Sequence, residues 1–226
     1  VRRDDLPAAV LWDMDGTIMD TEPYWMAEER ALVEEAGGVW SHEDALSLVG
    51  LDLHDSARII LDRSPVTGTP TEVVERLLAG VVRRTRERVP WRPGARELLG
   101  DLVAAGVPNA LVTMSWTPLA EVLVEELPPG TFDAVVTGDQ VARGKPAPDP
   151  YLVAAERLGV PPGECVAIED SPTGVRAALS AGVPTIAVPH LVPIDPEPGL
   201  VTVPSLEGLT GADLRRLVAP ELSRPR

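Results

Sequence analysis

Asp13 and Asp15 stand one residue apart at the end of an apolar run, Ala9-Val10-Leu11-Trp12, and Gly16 and Thr17 follow them. Two carboxylates so spaced suit a nucleophile with a proton-transfer partner, or a hard-metal site. The plainer reading is an acidic turn, because Asp-Gly is ordinary turn chemistry. The apolar run has no polar alternation and reads as a buried parallel strand. Open α/β sheets bind ligands beyond the carboxyl ends of their strands, which is where these acids would fall. Gly16 lets the backbone turn sharply there.

Three further segments carry polar groups in corresponding places. Thr113-Met114-Ser115 follows an apolar stretch and offers a hydroxyl and backbone N–H groups to phosphate oxygens. Lys145 lies in Gly144-Lys145-Pro146-Ala147-Pro148-Asp149 and is the one lysine beside 19 arginines. A compact ammonium acts there as a point charge rather than a fork, the plain alternative being chance survival of one lysine. Glu169-Asp170-Ser171-Pro172 closes another apolar stretch. Ser171 suits a helix N-cap and Pro172 a first helical position, so both acids are expected beside a helix N-terminus. Gly174 is expected to let that helix start approach the first loop closely.

Each segment is weak alone. Together, Asp13, Asp15, Thr113, Lys145, Glu169 and Asp170 would project from one rim of one sheet. The acids alone would repel, and a divalent cation with one ammonium resolves that repulsion. Oxygen-only ligands point to Mg²⁺ rather than zinc. A phosphoryl group bound against that metal, Lys145 and the Thr113 hydroxyl would face Asp13 in line.

The elements that must position these residues follow from the pattern. Strands are expected at 10–13, 110–113, 134–137, 166–169 and 185–188, and helices at 94–105, 118–126, 149–158 and 173–181. The alternation predicts an α/β fold, a doubly wound parallel Rossmann-like sheet. Between 20 and 89 only helical patterns occur, at 23–36, 42–48, 52–61 and 70–88. The expected organisation is therefore a core of 1–19 and 90–226 with an inserted all-helical cap domain at 20–89. Its hinges are expected at Gly16 to Thr21 and at the Pro-rich stretch Val89 to Gly94. Arg83, Arg84, Arg86 and Arg88 form a basic end to the cap, read as a solvated face or as a steering patch for an anion. Near the C-terminus a short helix is expected around 212–218, and Ser223 to Arg226 reads as a frayed tail.

The totals exclude some functions. A hydrophobic content of 44% over 226 residues supports a proper core. A net charge of −15 argues against a nucleic-acid partner, and no apolar run reaches the length of a membrane span. One cysteine, Cys165, forbids an internal disulfide and reads as a packed small residue. The expectation is a cytoplasmic protein, a monomer or weak dimer, whose partner is a small phosphorylated metabolite.

On these four ordered motifs the chain resembles the haloacid-dehalogenase-like hydrolases. The branch is the one with a helical cap after the first motif, as in β-phosphoglucomutases and phosphoglycolate phosphatases. Asp13-Met14-Asp15-Gly16-Thr17, continuing to Asp20-Thr21-Glu22-Pro23, matches the first motif; Thr113, Lys145 and Glu169-Asp170 match the others. The resemblance implies that Asp13 attacks phosphorus and becomes an aspartyl phosphate. It implies that Asp15 protonates the leaving alcohol and then activates water. Asp13, the backbone carbonyl of Asp15 and Asp170 would hold Mg²⁺, with Glu169 adjacent or bridged by water. Thr113, the backbone at Met114 and Lys145 would bind phosphoryl oxygens. The reaction expected is hydrolysis of a small phosphomonoester.

The competing reading is a β-phosphoglucomutase-like mutase. Mutases of that kind carry a histidine where Trp25 stands here. They also carry an arginine three residues after the glycine matching Gly50, where Leu53 stands. A non-catalytic phosphate-binding module is disfavoured because every expected position is filled. Trp25, Trp40, His54 and Trp116 are candidates for touching substrate, against a plainer reading as packing or surface.

Overall fold

The computed structural model describes residues 3–49 and 51–222. Gly50 and the expected tail at Ser223–Arg226 lie outside the described residues. Six strands, β1 (Ala9–Trp12), β2 (Asn109–Val112), β3 (Ala134–Val136), β4 (Cys165–Glu169), β5 (Thr185–Ala187) and β6 (Leu200–Thr202), form one sheet in the order β3-β2-β1-β4-β5-β6. Every pairing is parallel. Five strands fall where expected, within a residue or so. The sixth is a short edge strand, half-buried to exposed, so its residues lack the apolar run that marks the others.

Alternation along β1 divides the interior. Val10 and Trp12 join one apolar cluster, with Leu111, Val166 and Ile168, while Ala9 and Leu11 join a second. That second face is built largely from small residues: Ala110, Ala134, Cys165 and Ala167. Small side chains let two helices sit close against the sheet. These are the helices Asp149–Leu158 and Pro172–Ser180, which pack through Tyr151, Ala154, Ala155, Ala177 and Ala178. Cys165 is buried, and burial pushes its thiol up to about 12, which leaves it a packing residue.

Four helices separate β1 from β2: α1 (Glu22–Glu35), α2 (His42–Leu46), α3 (Leu53–Arg63) and α4 (Pro70–Glu87). Their form follows from local chemistry. In α4, Thr69 caps the start in a reciprocal pair with Glu72, Pro70 takes the first turn, and Arg84 and Arg86 sit in the last. Its buried stripe is Val73, Val74, Leu77, Leu78 and Val81, the spacing of one helix face. The other helices are α5 (Ala95–Ala104), α6 (Thr117–Glu125), α7 (Asp149–Leu158), α8 (Pro172–Ser180) and α9 (Gly211–Leu222). The C-terminal helix α9 is longer than the stretch expected from sequence.

The two chain crossings at the base of the helical segment are tied together. Met19 bridges Trp91 in antiparallel fashion, the Asp20 N–H donates to the Pro90 carbonyl (2.7 Å), and the Arg92 N–H donates to the Ile18 carbonyl (2.8 Å). The basic end of α4 is largely neutralised: Arg83 and Arg84 pair with Glu28, and Arg86 pairs with Glu125 on α6. That arrangement favours the solvated-face reading over a free steering patch.

Candidate active site

The strand order reverses between β1 and β4, and a ligand crevice opens at such a switch point. Asp13 follows β1, Thr113 follows β2, and Glu169-Asp170 ends β4, so one rim gathers three motifs. Lys145 reaches the same place from the loop before α7. Its Nζ donates to Asp13 Oδ1 (2.7 Å), to Glu169 Oε1 (2.6 Å) and to the Val112 carbonyl (3.0 Å). Burial works against this ammonium, but the charges of Asp13 and Glu169 outweigh it and hold its pKa above the ordinary lysine value. The Tyr151 hydroxyl also donates to Glu169, and the ammonium lies 5.2 Å from the Tyr151 ring centroid. Tyr151 went unread in the sequence, because an aromatic on an amphipathic helix looks like core.

Asp13 Oδ2 is buried and has no hydrogen-bond partner among the described residues. Asp13, Glu169 and Asp170 each offer an oxygen, and these atoms lie within 4.8 Å of one another. Burial raises both Glu169 and Asp170 above the usual carboxylate range. The charge of Asp13 adds to both shifts, while Lys145 opposes them. An orphaned carboxylate oxygen in an all-oxygen, anionic cluster is a donor set that fits a hard divalent cation. Asp13 and Asp170 could hold such an ion. Glu169 is fully buried and already bound by Lys145 and Tyr151, so it acts first on the ammonium.

The Asp15 carboxylate stands outside that trio. Thr21 Oγ1 donates to its Oδ1 (2.5 Å) and Thr113 Oγ1 to its Oδ2 (3.0 Å). Burial pushes its pKa up, against the lowering effect of those hydroxyls. The Thr113 hydroxyl, expected to bind phosphate, also has partners within the chain: it donates to Asp15, and its oxygen accepts from the Ser115 N–H (3.0 Å). A buried acid needs donors, and the hydroxyls of Thr21, Ser115 and Thr113 all act on this one. Met114 directs its sulfur toward the Lys145 N–H (3.1 Å) and so helps to seat the lysine loop.

Two glycines make the rim compact. Gly16 has φ +86, and a Cβ there would collide with the Asp170 carboxylate. It brings the first loop against the fourth motif. A Cβ on Gly174 would strike the Glu169 carboxylate. The reason is that α8 starts over β4's own end, with Ser171 accepting from the Gly174 N–H (3.1 Å).

The cleft continues upward between the rim and α1–α4. Of the four aromatic or imidazole candidates, only Trp25 lines it. Trp40 instead donates to Glu29 Oε2 (3.3 Å), and the rings of His54 and Trp116 pack against each other at a tilt of 50°, centroids 5.2 Å apart. Glu22, Glu29 and Ser56 line the cleft and were not singled out from sequence. A signal for Glu29 existed. It interrupts the buried face Trp25, Leu32, Val33 of α1, where an acid has no reason to be unless something uses it.

A carboxylate pinned by a buried lysine, with a hard-cation donor set at a sheet's switch point, defines an enzyme site for group transfer. The chain belongs to the haloacid dehalogenase-like hydrolase family, whose sequence model matches residues 10–188. It is 35% identical over 185 residues to a phosphorylated carbohydrates phosphatase of Thermotoga maritima, covering 79% of this chain and 83% of that protein. It superposes on the phosphate complex of CbbY from Rhodobacter sphaeroides with TM-score 0.84 at 28% identity, covering 92% of this chain and 99% of the other. The β-phosphoglucomutase of Clostridium difficile shares the fold, with TM-score 0.83 at 23% identity over 97% and 100% of the two chains. No helix among the described residues is long and apolar enough to cross a membrane.

Proposed function

We propose that the chain is a Mg²⁺-dependent phosphatase acting on a small phosphorylated metabolite, with Asp13 as nucleophile and Asp15 as the acid and base. The observation that carries this reading is the state of Asp13. One of its oxygens is fixed by Lys145 at 2.7 Å, and the other is buried and unpartnered on a residue lining the cleft. Lys145 orients that carboxylate and offsets its charge, so a phosphate dianion can approach it. A divalent ion held by Asp13, Asp170 and the Asp15 carbonyl would neutralise phosphoryl charge.

Asp13 forms a bond to phosphorus as the bond to the substrate's alcohol oxygen breaks, and Asp15 delivers its proton to that oxygen. Burial, which raises the Asp15 pKa, favours the proton-bearing form that this step uses. Asp15 then takes a proton from water, which attacks the aspartyl phosphate and releases inorganic phosphate. Splitting the transfer into two steps lets one carboxylate serve both. Thr21 and Thr113 hold Asp15 in place throughout. The helical segment 20–89 acts as a cap over the cleft, hinged at 16–21 and 89–94, and excludes bulk water. The single cysteine agrees with a reducing, cytoplasmic setting.

A sugar-phosphate mutase would need cap groups to grip a distal phosphate, and Trp25 and Leu53 supply no charge at the two matching positions. Hydrolysis of p-nitrophenyl phosphate tests the reading. Phosphate release should stop in excess chelator and return with Mg²⁺, while Ca²⁺, with its larger and looser coordination, supports it poorly. Full activity in chelator would overturn the metal dependence. Efficient conversion of β-glucose 1-phosphate to glucose 6-phosphate, with little phosphate release, would overturn hydrolysis.

A further inference from the structure

The cap half of the cleft is mostly apolar, with Trp25, Leu48, Leu53, Val74 and Leu77 among its walls. The polar side chains it presents are few, and two of them are acids. Glu22 and Glu29 lie seven residues apart on α1, two helical turns, and so share one face. Glu29 is 6% exposed. Trp40, which does not line the cleft, fixes one of its oxygens, and Ser56 adds a hydroxyl from α3. Among the described residues that line the cleft, the one cation is Lys145, and Asp13 and Glu169 already hold it. No arginine among the described residues lines the cleft, and Arg83 and Arg84 pair with Glu28, Arg58 with Asp55.

Resting on the phosphatase reading, we infer that Glu22 and Glu29 select the alcohol half of the substrate. That half donates hydrogen bonds, from hydroxyl or ammonium groups, and carries no second anionic group. Carboxylates accept but do not donate when ionised, so each oxygen left open to the cleft asks for an O–H or N–H. A second phosphate or a carboxylate on the substrate would lie against these acids with no cation to meet it. Such an unmatched like charge is the usual means by which a site rejects a competitor. Burial first, with the charges of Asp15, Glu29 and Asp20, pushes Glu22 up to about 8, and burial pushes Glu29 up to about 7. The two acids are therefore ionised together, and meet a second anion most unfavourably, in mildly alkaline solution, where the comparison below is made.

The test compares a sugar or polyol monophosphate, an aminosugar monophosphate, a sugar bisphosphate and phosphoglycolate, with p-nitrophenyl phosphate as reference. The two single-anion classes should exceed the bisphosphate and phosphoglycolate in kcat/KM by about tenfold or more, as like-charge rejection requires. The Glu22→Gln/Glu29→Gln double variant should shrink that ratio, chiefly through KM. Glu22→Gln alone, at a half-buried site, serves if the double variant does not fold. Equal turnover of all four classes, or an unchanged ratio in the variants, would overturn the inference and leave the phosphatase reading standing. No phosphate release from any ester would instead sink the phosphatase reading. Calorimetric binding of the same compounds to Asp13→Asn still tests selection in that case: bisphosphate binding as tightly as monophosphate would overturn it.

Discussion

The floor of the cleft and its cap wall are built on opposite plans. On the floor, most polar atoms are bound to one another before substrate arrives. Lys145 joins Asp13 to Glu169, Tyr151 holds Glu169, and Thr21 and Thr113 hold Asp15. The wall is apolar except for a few groups, and Trp40 steadies one of them from outside the cleft. The floor thus fixes the reacting groups within a network, where electrostatic preorganisation has most value. The wall leaves shape and a sparse set of acceptors to sort substrates. Chemistry and choice of substrate should therefore fail separately when each region is damaged.

The largest effects belong to the floor. Asp13→Asn should lower turnover by ~10⁴-fold or more, because an amide cannot form the acyl phosphate. The same change removes one charge from a crowd of buried acids, so chelated protein should be no less stable in urea. Lys145→Met should behave differently, losing activity and also about 3–5 kcal/mol of stability, because Asp13 and Glu169 are left as unpaired buried charges. Urea unfolding of both variants decides the matter. A Lys145→Met protein as stable as the parent would mean the ammonium is not what holds the floor together.

Acids on both floor and wall have raised pKa values, and this fixes how metal-free stability responds to pH. Asp15, Glu169 and Asp170 are raised by burial first, and Glu22 and Glu29 are raised from 4.5 to about 8 and about 7. Between the unfolded and folded values the native state binds protons that the unfolded chain has released, so stability falls as pH rises. Chelated protein should therefore be more stable near pH 5 than at pH 8, with most of the loss across that window. Added Mg²⁺ should reduce the loss by favouring the ionised acids of the floor. The Glu22→Gln/Glu29→Gln variant should flatten the wall's share of the slope. A chelated protein that gains stability from pH 5 to 8 would refute the placement of these acids.

This contrast also explains what was legible in the sequence. The floor's residues sit at strand ends, and a strand end is marked by an apolar run that stops, as at Trp12-Asp13, Val112-Thr113 and Ile168-Glu169. Spacing within a motif then places each acid without knowledge of the rest. Partnerships across motifs were less visible. The Thr113 hydroxyl reaches across to Asp15, and Gly174 makes room for the Glu169 carboxylate, and no local pattern marks either pairing. Both depend on how a loop packs over a neighbour's end. The wall was least legible, because helical periodicity reports which face is buried and not what it is buried against. Glu29 shows the limit: its position in an apolar face was readable, while its partner Trp40 lies across a turn whose path no local pattern sets. The edge strand β6 was missed because it is barely buried.

Trp40→Phe probes the wall's own support. It keeps the buried ring and removes the one N–H that reaches Glu29. The expected loss is about 1 kcal/mol, the usual net value of such a bond. The KM of the preferred phosphomonoester should rise modestly, and kcat for p-nitrophenyl phosphate should hold. A fall in kcat without a change in KM would place Trp40's influence on the floor and blur the division drawn above.

The smallest effect is expected where the cap is stabilised far from any reacting group. Thr69 starts α4 by accepting from the Glu72 N–H (3.3 Å), while the Glu72 carboxylate accepts from the Thr69 N–H (2.7 Å) and hydroxyl (2.9 Å). Thr69→Ala removes the hydroxyl half of this exchange, which should cost about 1 kcal/mol, as helix caps do. The cleft residues on the same helix, Val74 and Leu77, sit one to two turns further in and are held by the buried stripe rather than by the cap. Fraying at Thr69 should therefore stop short of them, and kcat/KM should stay within about twofold, since sites without shared partners act independently. Thermal unfolding and steady-state kinetics on one preparation give both numbers. A kinetic loss larger than the stability loss would mean that the first turn of α4 takes part in closing the cleft, and the wall would then extend to the helix end.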